Sequence, residues 1–320
     1  VYHATSDPSD AEKMAIVATG GYGRGLMAPG SDIDLLFLLP YKQTPWGESA
    51  AEYILYLLWD LGFKVGHATR TIPQCVALSK SDMTIRTSLL DARLILGDVD
   101  LFEQFEAKFA SDVVAGSARE FIAAKMAERN QRHQSAGESR YLVEPNVKDG
   151  KGGLRDLHTL HWLSKYVTGN SPGAAAVAEG SFTRAERVTF RRCEDFLWTV
   201  RCHMHFETGR AEERLSFDLQ PTIAERLEYR ETSLRPVERF MKHYFLVARD
   251  VGELTAILCS ALEIQQLASA PRLPQFLNPL TWTARRQVRR TSDFRIDSDL
   301  LNVINDDVFK NEPVNILRLF

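Results

Sequence analysis

The chain has 320 residues, 44% hydrophobic and 25% charged, the proportions of folded globular proteins; they exclude disordered, collagen-like and membrane-embedded classes and leave room for two domains of roughly 100–200 residues. Its 39 basic and 42 acidic residues give a formal charge of −3, so no global positive field points to nucleic acid or an anionic membrane, and any phosphate chemistry must be local. Four scattered cysteines, no leader-type N-terminus and no apolar run near the ~18–20 residues that span a bilayer make the cytoplasm the expected location.

Residues 13–39 read as strand, glycine-rich turn and strand: MAIVAT is β-prone, GGYGRG breaks it, and DLLFLL is a buried run. A helix is expected over 48–61, where Tyr53, Ile54, Leu57, Leu58 and Leu61 share a face and Gly62 closes it. The run 63–68 reads as the next strand, and 81–96 and 101–109 as helices. Beyond about residue 117, period-3.6 patterning predicts helices over 119–132, 154–167, 183–207 and 237–266, with a polar, glycine-bearing loop at 144–153 between the first two. The expected class is α+β: a small mixed sheet with covering helices over 1–115, an α-helical domain over 116–290, and an extension over 291–320. The chain reads as a piece of a longer polypeptide.

Chemistry concentrates in Gly20-Gly21-Tyr22-Gly23-Arg24-Gly25 and Ser31-Asp32-Ile33-Asp34. Strand side chains alternate, so Asp32 and Asp34 point one way while Ile33 and Leu35 turn into the core. Two carboxylates on one face need a cation, and hard oxygen ligands suit Mg²⁺ bridging to substrate phosphates, with Mn²⁺ as an alternative. The paired glycines let the backbone approach a triphosphate. Neither a Rossmann nor a P-loop spacing is present.

Gly-Gly, ten residues, then Asp-hydrophobic-Asp resembles the signature of the DNA polymerase β-like nucleotidyltransferase superfamily. The longer string GGYGRG…APGSDIDLLFLL, with residues 144–163, 209–220 and 237–251, closely resembles the bacterial PII uridylyltransferase/uridylyl-removing enzymes. That resemblance implies a polymerase β-like nucleotidyltransferase fold, metal at Asp32 and Asp34, nucleotide contacts at Gly20, Gly21, Arg24 and Ser31, UTP as donor, and a tyrosine of the PII signalling protein as acceptor. It implies no nucleic-acid or membrane partner. The family's phosphohydrolase and glutamine-sensing domains have no counterpart here, since none of the eight histidines precedes an Asp. Leu26-Met27 stand where the family usually has a Glu after the turn. A related protein adenylyltransferase, or a degenerate nucleotide-binding module, are the rival readings.

Further candidates lie outside the motif. Arg70 is placed to clamp a phosphate beyond the third strand, and Lys148, with Lys151, Gly152, Gly153 and Arg155, forms a second anion-friendly element ahead of a helix. The superfamily's third carboxylate is absent from 63–68; Asp91 is the nearest substitute. His158 and His161, or His203 and His205, suggest a metal site only weakly. The basic run 285–290 reads as a solvated helical face.

Overall fold

The computed structural model describes residues 13–42, 44–135, 137, 139–168, 183–269, 294–297 and 300–303. The run 285–290 and most of 291–320 lie outside the described residues. The chain divides into two compact units, residues 1–259 and 260–320. In the second, β5 (Phe294–Asp297) pairs antiparallel with β6 (Leu300–Val303).

The first unit opens with β1 (Ala15–Ala18), a single helical turn α1 (Gly20–Gly23) and β2 (Ile33–Leu39). Helix α2 (Pro45–Asp60) follows, its first turn closed by Thr44, which accepts from the Gly47 amide, and by Pro45, whose missing N–H costs nothing there. Next come β3 (Val65–Thr71), α3 (Ile72–Ser81), α4 (Met83–Leu90) and β4 (Arg93–Gly97). The strands form one mixed sheet in the order β3-β2-β1-β4, with β2 parallel to β3 and β1 antiparallel to both neighbours. The α+β class therefore holds. Ile33, Leu35 and Phe37 pack with Ala51 and Leu55 of α2, which turns the other face of β2, and Asp34 with it, away from that core.

Two local expectations change. Residues 20–23 make a helical turn rather than an irregular one, and the helix expected over 81–96 ends at Leu90, where Asp91 caps it and the chain returns as β4. Short apolar runs such as LIL fit either state, and pairing with β1 decides for strand. Helices α3 and α9 had no periodic signal long enough to announce them.

The helical part comprises α5 (Val99–Phe109), which runs into a π-helical turn at Ala110–Val114, then α6 (Ala118–Ser135), α7 (Leu154–Thr168), α8 (Arg184–Thr208), α9 (Leu219–Arg226) and α10 (Pro236–Ser269). Helix α7 is the central one. Leu154, Leu157, Leu160 and Leu163 have no exposed surface, each contributing about 1.5–3 kcal/mol of burial, and Tyr166 stacks on Phe121 of α6 at 3.8 Å between centroids. No described helix is long and apolar enough to cross a membrane.

Asp91 ties α7 to the glycine turn. Its carboxylate, with no exposed side-chain surface, takes the Arg24 guanidinium at 2.5 Å and the Trp162 indole N–H at 2.7 Å, with His161 and Lys165 each at 3.6 Å. Burial pushes this carboxyl up, but the His161 contact, the Arg24 charge and the Trp162 donor outweigh it and hold it below the ordinary carboxylate value. The tie is thus complete above the ordinary range and is lost only as pH falls through the lowered value. Asp91→Ala would strand the 9%-exposed Arg24 charge, and should cost about 3–5 kcal/mol in urea unfolding. A loss under about 1 kcal/mol would show that Asp91 does not carry the tie.

Candidate active site

The glycine turn is built to seat one carboxylate. The Thr19 amide donates to the Asp34 carbonyl at 3.0 Å, which lays α1 alongside β2. Gly20, at φ +55°, is in the left-handed region, and a Cβ there would come 3.2 Å from Asp34 Oδ2. On the other side, strand register sets Gly66 of β3 opposite Asp34, and a Cβ there would lie 2.6 Å from Oδ1. The half-buried Asp34 carboxylate is therefore held between two bare positions, while Asp32 stands exposed just ahead of β2.

The strap leading to Asp32 is clamped from the helical side. Ser31 closes a turn with Ala28, its amide donating to the Ala28 carbonyl and its hydroxyl accepting from the Ala28 amide. The Gly30 amide donates to His205 Nδ1 at 3.1 Å, and a side chain at Gly30 would strike the Ala211 backbone at 2.8 Å. Arg201 donates to both Glu213 oxygens at 2.6–3.1 Å, with Lys148 3.7 Å from the same carboxylate.

A cleft of about 620 Å³ lies between these walls. Gly20, Gly21, Arg24, Ser31, Asp32, Asp34 and Lys148 all line it. Arg70 does not: it pairs with Leu38, four residues along β3 from Gly66 and so about 13 Å further down the strand. Asp91 is also outside the cleft, spent on Arg24 and Trp162, so it supplies no third carboxylate there. The loop at 144–153 contributes through side chains alone. The amides of residues 148, 149, 150 and 152–156 are all engaged within the segment 146–156, and Gly152 (φ +84°) is bare because the Ala248 carbonyl of α10 lies 2.5 Å from where its Cβ would be. Lys148 and Arg155 reach the cleft; Lys151 does not.

Sequence reasoning passed over much of the helical wall, Lys125, Arg132, Trp162, Trp198 and Arg201, and took His158 only as a weak metal-site candidate. Trp162 gathers charge, with Lys125 at 4.6 Å, Arg24 at 5.2 Å and Arg155 at 5.8 Å from its ring. In all, seven Lys or Arg and five Asp or Glu line the cleft, an excess of positive charge in a chain that is negative overall. The acidic exception is the Asp32–Asp34 end. Burial and then the Asp32 charge raise the Asp34 carboxyl above its ordinary value, with Arg24 and Lys148 opposing. Two carboxylates short of cationic partners, open to water, fit a hard divalent cation that keeps waters and takes phosphate oxygens. Among the described residues no three His, Cys, Asp or Glu side chains converge as a metal cluster, so neither histidine pair forms one.

The glycine turn and the Asp32–Asp34 pair at the head of β2, on a mixed sheet, are features of a nucleotidyltransferase domain, and a family model of that description matches residues 6–93. Residues 120–259 match the model described as GlnD PII-uridylyltransferase. It is 58% identical over 318 residues to a bifunctional uridylyltransferase/uridylyl-removing enzyme of Rhodopseudomonas palustris, covering 99% of this chain and 34% of that protein. An enzyme of the same name from Nitrobacter winogradskyi is 57% identical over 321 residues, covering 100% and 35%. The chain thus spans about a third of the length of the curated relatives it matches.

Gly66→Ala tests the seat directly. The added methyl meets the far end of a side chain, so the carboxylate moves and the fold does not: nucleotide transfer should fall about tenfold to a hundredfold while the urea midpoint barely shifts. Unchanged turnover would mean that the position of Asp34 is immaterial.

Proposed function

We propose that this cleft transfers UMP from UTP to a tyrosyl hydroxyl of the PII nitrogen-signalling protein and releases pyrophosphate. The carrying observation is the Asp34 carboxylate lodged between Gly20 and Gly66, beside Asp32, at the acidic end of a cationic cleft. The geometry supports the reaction class, and the names of the relatives support the uridylyl donor and the PII acceptor. On this reading residues 1–115 are the catalytic domain, 116–290 the helical domain that walls the nucleotide, and 291–320 the connection onward. That Cys75, Cys193 and Cys202 are thiols agrees with a cytoplasmic setting.

Asp32 and Asp34 would hold Mg²⁺, or Mn²⁺ in its place, which when bound neutralises triphosphate charge and polarises the α-phosphorus. Gly20 and Gly21 leave the backbone open to the phosphates. Arg24, Lys148 and Arg155 draw the anionic chain into register, and Ser31 fixes the strap that carries Asp32. The tyrosyl oxygen gives up its proton to solvent and forms the new bond to phosphorus as the bond to the pyrophosphate oxygen breaks, so positioning and charge are the chain's main contributions.

Asp32→Asn and Asp34→Asn each remove ligand charge at constant volume, and each should lower UMP transfer to PII at least about a hundredfold with unchanged circular dichroism. Near-normal turnover in either variant sinks the assignment. Gly21→Val should weaken UTP binding more than folding. A Cβ there meets only ordinary contacts, 3.5 Å from the Leu26 carbonyl and 3.9 Å from Arg24, so the extra bulk enters the cleft. A titration with unchanged UTP affinity counts against the glycine cradle.

A further inference from the structure

The free edge of the sheet runs past the active site. Among the described residues no strand pairs with β3 on the side away from β2. The Ile33 amide donates to the Lys64 carbonyl at 2.8 Å, and backbone groups in a parallel ladder alternate, so those of Gly66 and Ala68 also face β2. The amides and carbonyls of Val65, His67 and Thr69 therefore point outward. Natural edges are guarded by lysines, prolines or bulges. This one pairs with β2 without a break over its seven residues, contains no proline, and has Arg70, near its far end, as its single Lys or Arg.

An apolar shelf flanks that edge. Side chains alternate across β3, so Gly66 shares a face with Asp34, while His67, opposite Leu35, is on the α2 side with its ring 6.1 Å from Trp59. Tyr56 stands edge-on to Trp59 at 5.6 Å, and both rings are exposed, as are Leu61 and Phe63 on the link into β3. Exposed apolar surface gathered in this way marks an interaction site. An edge strand beside such a shelf suits an extended peptide, which main-chain bonds hold while alternate side chains reach two different surfaces.

Register decides which peptide. A residue on an added strand opposite Gly66 points to the Asp34 face, one strand spacing of about 4.8 Å from a position with no side chain. Asp34 Oδ1 comes within 2.6 Å of where a Gly66 Cβ would be, so an aromatic side chain laid across the bare glycine ends at the carboxylate. The neighbours of that residue fall on the Trp59 side. A second copy of β3 in this place would bring no tyrosine, for VGHATRT holds none, and would cover the site without using it.

We propose that the acceptor protein docks by adding an extended, tyrosine-bearing segment to the free edge of β3, with the tyrosine opposite Gly66 and its flanking side chains on Tyr56 and Trp59. The proposal rests on the reading above that a tyrosyl hydroxyl is the acceptor, and it adds the surface that presents it.

The test follows backbone amide hydrogen exchange in the full 320-residue chain with and without unmodified PII. Exchange over residues 65–71 should slow at least about tenfold when PII is added. His67→Pro removes one outward N–H and spares the ladder to β2. It should raise the KM for PII about tenfold or more, while UTP affinity, measured by titration, stays within about twofold. If His67→Pro loses its circular dichroism, the exchange measurement decides alone. PII that leaves 65–71 unprotected, or a folded His67→Pro with the wild-type KM, overturns the docking site and leaves the transfer reading standing. Protection of the same residues by self-association without PII assigns the edge to a second copy and overturns the docking site as well. Absence of any transfer to PII by the wild type overturns both.

Discussion

A carboxylate with no exposed surface has to be matched from within, and for Asp91 the matching groups come from two directions. Arg24 reaches it from the end of the glycine turn, and Trp162 and Lys165 reach it from α7. The same contact therefore fixes the turn that bounds Asp34 and the helix that forms the opposite wall. Arg24 is also shared with the cleft, since its guanidinium lies over the Trp162 ring and its charge is felt at Asp34. Remove the tie and both walls lose their common reference.

Charge in the cleft is arranged by the same economy. Glu213 takes Arg201 in two-pronged fashion and lies near Lys148, Asp149 takes Arg155, and Glu128 takes Lys125, so most cations of the wall are oriented before any ligand arrives. Cations paired in advance reorganise less on binding, which is the condition for electrostatic stabilisation of a charged transition state. The glycine-bearing loop behaves in the same way. Asp156, 1% exposed, caps Gly152 and gathers Arg132 and His133, so Lys148 and Arg155 project from a frame that is already closed.

The catalytic end of the cleft was legible because its chemistry is local: two glycines, a strand, and two acids at i and i+2 specify their own geometry. The helices after residue 117 were legible for a similar reason, their apolar period running through several turns. What escaped depends on distant pairing. Nothing near Asp91 in sequence announces Arg24 and Trp162, 67 and 71 residues away. Gly152 reads the same whether its bareness admits a phosphate or the backbone of α10, and the structure decides for the backbone. Gly66 did carry a signal, as an isolated glycine within a strand, but its meaning appears only once register sets it against Asp34.

That register makes the site a gauge of folding fidelity. Strand β3 is an edge strand, and β2 is its one partner in the sheet. A slip of two residues, the smallest that preserves which face each side chain occupies, would bring Lys64 or Ala68 beside Asp34 in place of Gly66. Such a molecule could retain its hydrogen-bonded ladder and much of its core, yet its carboxylate would be displaced or salt-bridged. Misregistered and correctly registered chains would then be alike in mass, solubility and helix content, and the active fraction of a preparation would count the molecules whose edge strand found its proper partner residues.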